Sequence, residues 1–237
     1  MSGLSFNIIG NIMPTVEIEL DFLQVVIAEA GAMTYFEDGI SLEVKLGDGA
    51  DKEQSVLGKV FSVAKRWMTN ETLFITHFVN QTQFSKKFVS FSAPFPGQII
   101  PLKLNELGGV VYCQKNAFLC TTLGTSLSVA FSKRLGAGFF GGEGFVLQRI
   151  QGNDIAFIHA GGTIIEKDLE GEIIYLETGS LVAFTQGIEY DVEATTSLRS
   201  IMFSGEGLYL TKLSGTGRVW IQTMPFTRLS AVMFDAL

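Results

Sequence analysis

Two histidines, two cysteines and a recurring glutamate are the residues of this chain with chemistry to offer. His159, in the stretch AFIHA, is the best candidate for a general base. A base needs a partner that orients it or shares its proton, and no neighbouring motif supplies one. His77 lies far away in sequence. Two isolated histidines do not make the His/Glu cluster of a metal-binding double-stranded β-helix enzyme. Cys113 and Cys120 are too few for a disulfide scaffold or a zinc site. No catalytic, cofactor-binding or metal-binding residue is therefore assigned, and no cofactor is expected.

The stretch GAGFFG, residues 136 to 141, spells the dinucleotide fingerprint G-x-G-x-x-G. That fingerprint works only where it follows a strand and opens a helix within a βαβ unit. Here it leads into GEGFVLQRI, an alternating strand pattern, so Gly136, Gly138 and Gly141 are read as shaping a loop. Asp154 stands near the distance of a ribose-binding acid, but in the wrong context.

The elements that must position these residues come in repeats. GAMTYFEDGISLEV from Gly31 matches GSLVAFTQGIEYDV from Gly179, with Gly39 over Gly187. A third copy, GGVVYCQKNAFLCT, starts at Gly108 and puts Asn116 in the second glycine's place. Gly and Asn take positive φ most readily, so Gly39, Asn116 and Gly187 are expected to be equivalent left-handed turns. This register sets Cys113 over Phe36 and Phe184, as a packed thiol. A second pattern follows in NETLFITHF, GEGFVLQRI and GEGLYLTKL, with Glu71, Glu143 and Glu206 at its strand starts. A third follows in VSFSA, AFIHA and VWIQT, which makes Ser92, His159 and Gln222 sister positions. His77, Arg149 and Lys212 likewise share one basic slot, read as a solvated strand face. These short β-branched and aromatic segments, bounded by Gly, Pro and Asn, read as strands. Only Gln54 to Met68 has good helical spacing. The chain thus reads as three related units of roughly 60 to 75 residues, spanning about 17–105, 106–177 and 178–237.

Composition narrows the function classes. The chain has 237 residues and 47% hydrophobic content, enough for a sizeable core. Its net charge of −7 argues against nucleic acid as a partner. The first twenty residues contain no Lys or Arg, so neither a signal peptide nor a transit sequence is read there, and no apolar run suits a transmembrane segment. A cytoplasmic protein is expected. The apolar end SAVMFDAL is expected to be buried against a second copy of the chain.

Several motifs in order, GGEGFVLQRIQGND, HAGGTIIEKDLEGE, VAFTQGIEYDV, SGEGLYLTKLSGTGRVWIQTMP and FSAPFPGQIIPLKL, resemble the altered-inheritance-of-mitochondria protein 24 family, also called the mitochondrial biogenesis family. The resemblance runs from about Glu17 to Phe226 and points to a bacterial member. It implies an all-β fold of three β-sandwich-like repeats with pseudo-threefold symmetry, similar to the tryptophan RNA-binding attenuator protein. It also implies a homo-oligomer, a trimer or a dimer of trimers. The family brings no catalytic set. The expected function is non-catalytic assembly or binding. One rival is a small-molecule or glycan-binding module using Trp220, Phe157 and nearby aromatics. The other is an enzyme using His159 with an acid brought near by the fold.

Overall fold

The structure is a computed structural model that describes residues 3–29, 31–46, 74–133, 145–194 and 209–235. Gly136, Gly138, Gly141, Glu71, Glu143, Glu206 and the helix read over Gln54 to Met68 lie outside those residues. The described chain is built of antiparallel strands, as the alternation requires. In β2 (Thr15–Leu20), Val16, Ile18 and Leu20 point inward while Thr15, Glu17 and Glu19 stay at the surface.

One sheet runs β5 (Ile40–Leu46), β6 (Phe74–Asn80), β3 (Val25–Glu29), β10 (Phe118–Thr122), β13 (Ile155–Gly161), β8 (Gly97–Lys103). A second runs in the same manner through β11 (Ser126–Lys133), β12 (Phe145–Gln151), β9 (Val110–Gln114), β16 (Leu181–Thr185), β18 (Tyr209–Gln222) and β14 (Ile164–Glu170). The remaining strands form two shorter groups. β1 (Ser5–Ile9), β2, β7 (Lys87–Ser92) and β4 (Met33–Phe36) make a four-stranded sheet. β15 (Ile174–Glu177) and β17 (Ile188–Ala194) flank the first half of the long β18. Strands with a neighbour on each side and a layer above and below are wholly buried, as β10, β13 and β16 are.

Register across the seams corrects one expectation. Cys120 of β10 faces Ala28 of β3, and Ala183 of β16 faces Cys113 of β9. β10 and β16 therefore do the same job, and so do the turns that follow them. Those turns hold Gly124 (φ 92) and Gly187 (φ 118), matching Gly39 (φ 95) after β4. Asn116 is not in the left-handed region. It sits in a 3-10 turn, Lys115–Ala117, that leads into β10. Cys113 consequently aligns with Ala28, and Thr121 takes the place of Phe36 and Phe184. Both cysteines are buried free thiols all the same, and burial raises both thiol pKa values.

The chain end also departs from expectation. Phe226–Asp235 forms an α-helix, α1, which no spacing argument had marked. Pro225 stands just before it, and its carbonyl accepts from the backbone N–H groups of Arg228 and Leu229. No helix among the described residues is long and apolar enough to cross a membrane.

Candidate functional site

The geometry around His159 begins with the proline-fixed bend APFPG, residues 93–97, between β7 and β8. It turns the chain so that β8 can pair with β13, setting His159 opposite Ile99. The bend delivers Phe95 edge-on to the imidazole, with ring centres 4.6 Å apart. Phe226 of α1 packs on the far side of Phe95 at 5.6 Å. Gly97 leaves no space for a side chain, since a Cβ there would lie 2.6 Å from His159 Nε2 and 2.0 Å from the Ala160 carbonyl. The imidazole is thus walled in by an aromatic ring and bare backbone, with 2% of His159 exposed.

This environment dictates the charge. Burial pushes the His159 pKa down to about 4, with a Phe95 backbone contact opposing that shift in part. The ring is neutral at physiological pH. The sister residues show why an imidazole stands here. Gln222, facing Ile164 as His159 faces Ile99, accepts from Gly161 N–H at 2.8 Å and donates to Gly179 C=O at 2.7 Å. The residue three before Ile99, corresponding to Gly161, is Pro96, which has no N–H to give. Ser92, the third sister, accepts from the Thr34 hydroxyl at 2.7 Å. The three positions share a place in the strand and use it for local hydrogen bonding or packing.

His77, Arg149 and Lys212 do occupy one slot, opposite Ile27, Tyr112 and Tyr175. The slot is not uniformly solvated, however, because His77 is buried. Arg149 and Lys212, which also lie between two paired strands, are half-buried. Trp220 and Phe157 do not make an open binding surface either. Both are fully buried core residues in strands covered on both faces.

Two features escaped the sequence. Glu29, at the end of β3, has its pKa raised to about 7 by burial, with the Lys115 charge working the other way. Its sister Gln114 donates to Thr178 C=O at 3.3 Å, and the third sister Glu177 accepts from Gly179 N–H at 2.9 Å. Glu29 becomes visible only once Lys115–Ala117 is placed after β9. The second feature is a cleft of about 270 Å³ lined by Tyr112, Leu147, Phe184, Gln186, Ile188 and Tyr190 among others. Phe184 stacks with Tyr112 at 5.2 Å and with Tyr190 at 6.1 Å. Among the described residues no cluster of three His, Cys, Asp or Glu side chains could hold a metal ion.

His159 and Glu29 make opposed contributions to stability. His159 binds its proton less well folded than unfolded, so its contribution is present above about pH 6.5 and lost as pH falls toward 4. The limiting slope is about 1.4 kcal/mol per pH unit. Glu29 holds its proton more tightly folded, so stability falls as pH rises from 4.5 to 7. Its effect is the smaller, because part of its surface meets water. Urea denaturation between pH 5 and 7 is expected to show a shallow dependence in the native protein. His159→Gln should leave a fall in stability with rising pH, and Glu29→Gln should steepen the rise. Identical profiles for all three proteins would refute the assignment.

With the geometry in hand, comparison places the chain among known proteins. It is 25% identical over 223 residues to an uncharacterized protein of Streptococcus pyogenes serotype M6, covering 93% of this chain and 85% of that protein. The crystal structure of a Streptococcus pyogenes protein matches with a TM-score of 0.74 at 20% identity, covering 99% of this chain and all of that one. At that identity the likeness is one of fold. The family model for mitochondrial biogenesis AIM24 matches residues 6–224. The chain belongs to the mitochondrial biogenesis AIM24 family.

Proposed function

We propose that this protein acts by assembly and binding and not by catalysis, as a cytoplasmic homo-oligomer of three related units arranged about a pseudo-threefold axis. The repeated strand order in the two six-stranded sheets supports the three units, as do the positive-φ glycines at 39, 124 and 187. The unit boundaries near 105 and 177 follow from the same order. A trimer or dimer of trimers remains the preferred state on family resemblance. The net charge of −7 sets the surface against polyanionic partners such as nucleic acid.

The observation that carries the reading is an apolar end of the molecule. Phe226 of α1 packs on Phe95 yet is 56% exposed, and Val232 and Met233 on the same helix are each 63% exposed. Ile12 and Met13 are exposed too, and the Ile12 carbonyl accepts from Gly97 N–H at 2.8 Å, two residues from Phe95. An apolar surface of this kind marks a protein contact. Sedimentation equilibrium at micromolar concentration is expected to give a multiple of 25.8 kDa. The Val232→Glu, Met233→Glu double variant should weaken association while keeping its β-sheet circular dichroism. A native protein that sediments as a monomer would end the reading.

A second reading draws on the Tyr112–Phe184–Tyr190 stack, whose faces suit a small planar or apolar ligand. Retention of such a molecule in native mass spectrometry, lost in Tyr112→Ala, would favour it. The enzyme reading finds its displaced pKa at His159, but the described groups around that ring are Phe95, Gly97 and Ile99.

A further inference from the structure

The cleft beside Tyr112 occupies a position that the chain builds twice and fills once. The seams β3–β10 and β9–β16 pair their strands in the same way, with Thr121 opposite Ile27 in the first and Phe184 opposite Tyr112 in the second. The neighbours correspond as well. Ile75 stands two residues before His77 as Leu147 stands two before Arg149, and Thr125 and Leu127 follow Gly124 as Ile188 and Tyr190 follow Gly187. At the first seam Ile27, Ile75, Thr121, Thr125 and Leu127 are each 2% exposed or less. The Thr121 hydroxyl lies 3.0 Å from that of Thr125 and donates to Ile155 C=O at 2.8 Å. At the second seam the same positions line about 270 Å³ of open space.

Two local differences keep the second seam open. β8 reaches β9 through a 3-10 turn, Leu104–Leu107, which puts Leu104 into one core cluster with Ile27, Ile75 and Leu127. β14 reaches β15 through residues 171–173 alone, and Ile173 there is 52% exposed, so the second seam gets no such cover from its own linker. β11 also bulges at Ala130 in its pairing with β12, whereas the sister hairpins β5–β6 and β17–β18 pair without a shift. The bulge brings only a methyl group to the cleft wall.

The wall chemistry selects the occupant. Tyr112, Phe184 and Tyr190 form a column of nearly parallel rings, tilted by 21° and 6° from one to the next. A flat ring packs on such a column by offset stacking. No residue lining the cleft is charged, so an ion would lose its hydration there with nothing to replace it. The polar groups include the two tyrosine hydroxyls and the Gln186 amide, which both donates and accepts. An apolar cavity of about 150 Å³ takes one benzene ring, so the larger space here suits two fused rings. We propose that this cleft binds a neutral two-ring aromatic molecule with one hydroxyl or N–H on its edge. This inference rests on the second reading above, whose ligand class it names, and is independent of self-assembly.

The test is equilibrium dialysis of the full chain at neutral pH against three probes. These are 2-naphthol, naphthalene, which has the rings alone, and 2-naphthoate, which adds a charge. 2-Naphthol is expected to bind best, naphthalene about fivefold more weakly for want of one hydrogen bond, and 2-naphthoate weakest. Two variants carry residues of the closed seam to the open one. Tyr112→Ile, the residue at Ile27, should weaken 2-naphthol roughly tenfold. Gln186→Leu, the residue at Leu123, should narrow the gap between 2-naphthol and naphthalene while leaving naphthalene unchanged. Ala130→Leu should weaken both by filling the cleft. Gln186 and Ala130 are exposed, which guards these two variants against misfolding. Equal binding of 2-naphthol and naphthalene, or preference for 2-naphthoate, would overturn the ligand class and leave a ligand in the cleft standing. Binding of none of the three, or binding that neither Tyr112→Ile nor Ala130→Leu alters, would overturn the small-ligand reading with it.

Discussion

Replacing Trp220 with alanine is expected to destabilise the protein by about 3–5 kcal/mol. The indole is 2% exposed on the second half of β18, between Ala183 of β16 and Glu166 of β14. It belongs to the largest core, with Val182 and Ala183 on one side and Ala160 and Ile158 of the neighbouring sheet in the same cluster. Truncation removes the most voluminous of the fully buried side chains. Its strand is hydrogen-bonded on both sides, to β16 and to β14, so the space cannot easily close by collapse. Trp220→Phe should behave differently. The indole N–H has no hydrogen-bond partner among the described residues. Deleting an unpaired buried donor recovers part of what the lost ring area costs. A loss near 1 kcal/mol is expected for phenylalanine. Chemical denaturation at fixed protein concentration separates these outcomes, since an oligomer's stability depends on concentration. Equal losses for alanine and phenylalanine would show that the indole N–H is satisfied and that Trp220 matters through polarity instead of volume.

That residue also marks how far the sequence could be read. Its strand was visible from period-two alternation and from the match of VWIQT with VSFSA and AFIHA. Alternation does not say whether the outer face meets water or another layer. Trp220 and Phe157 were therefore open to being a binding surface, and only the second layer settles them as core. The sister relation of Ser92, His159 and Gln222 was legible because it needs only a local alignment, and the pairing of each to its neighbouring strand agrees with it. The walls around His159 were not legible. They come from Phe95 and Phe226, which lie 64 residues before and 67 after it (159 − 95 and 226 − 159). Helix α1 was hidden for a different reason. A ten-residue helix is marginal alone, and its placement depends on Phe226 reaching Phe95 across the molecule.

The register of the stretch GGVVYCQKNAFLCT is the sharpest of these lessons, and a series of alanine substitutions tests its correction. Matching by sequence slides that stretch by eight residues (116 − 108), aligning Gly108 where Asn116 belongs. An even slip preserves every inward and outward position of a strand, so alternation could not expose it. Asn116 reinforced the error by being the second-best residue for a left-handed turn. The backbone decides otherwise, and four alanine substitutions should rank accordingly. Gly187→Ala is expected to be worst, at about 3 kcal/mol, because it combines a φ of +118 with a Cβ 2.5 Å from the Thr216 carbonyl oxygen, which is backbone and cannot turn away. Gly39→Ala meets the Thr82 hydroxyl at 2.3 Å, a side chain that can rotate, so its loss falls between. Gly124→Ala has open space around it and pays only for its φ of +92, about 1 kcal/mol. Asn116→Ala, at an exposed position in a 3-10 turn without positive φ, should stay within about 0.5 kcal/mol. Thermal or denaturant unfolding of the four variants gives the order. Were Asn116→Ala to match Gly124→Ala in cost, the left-handed turn would belong at Asn116 after all.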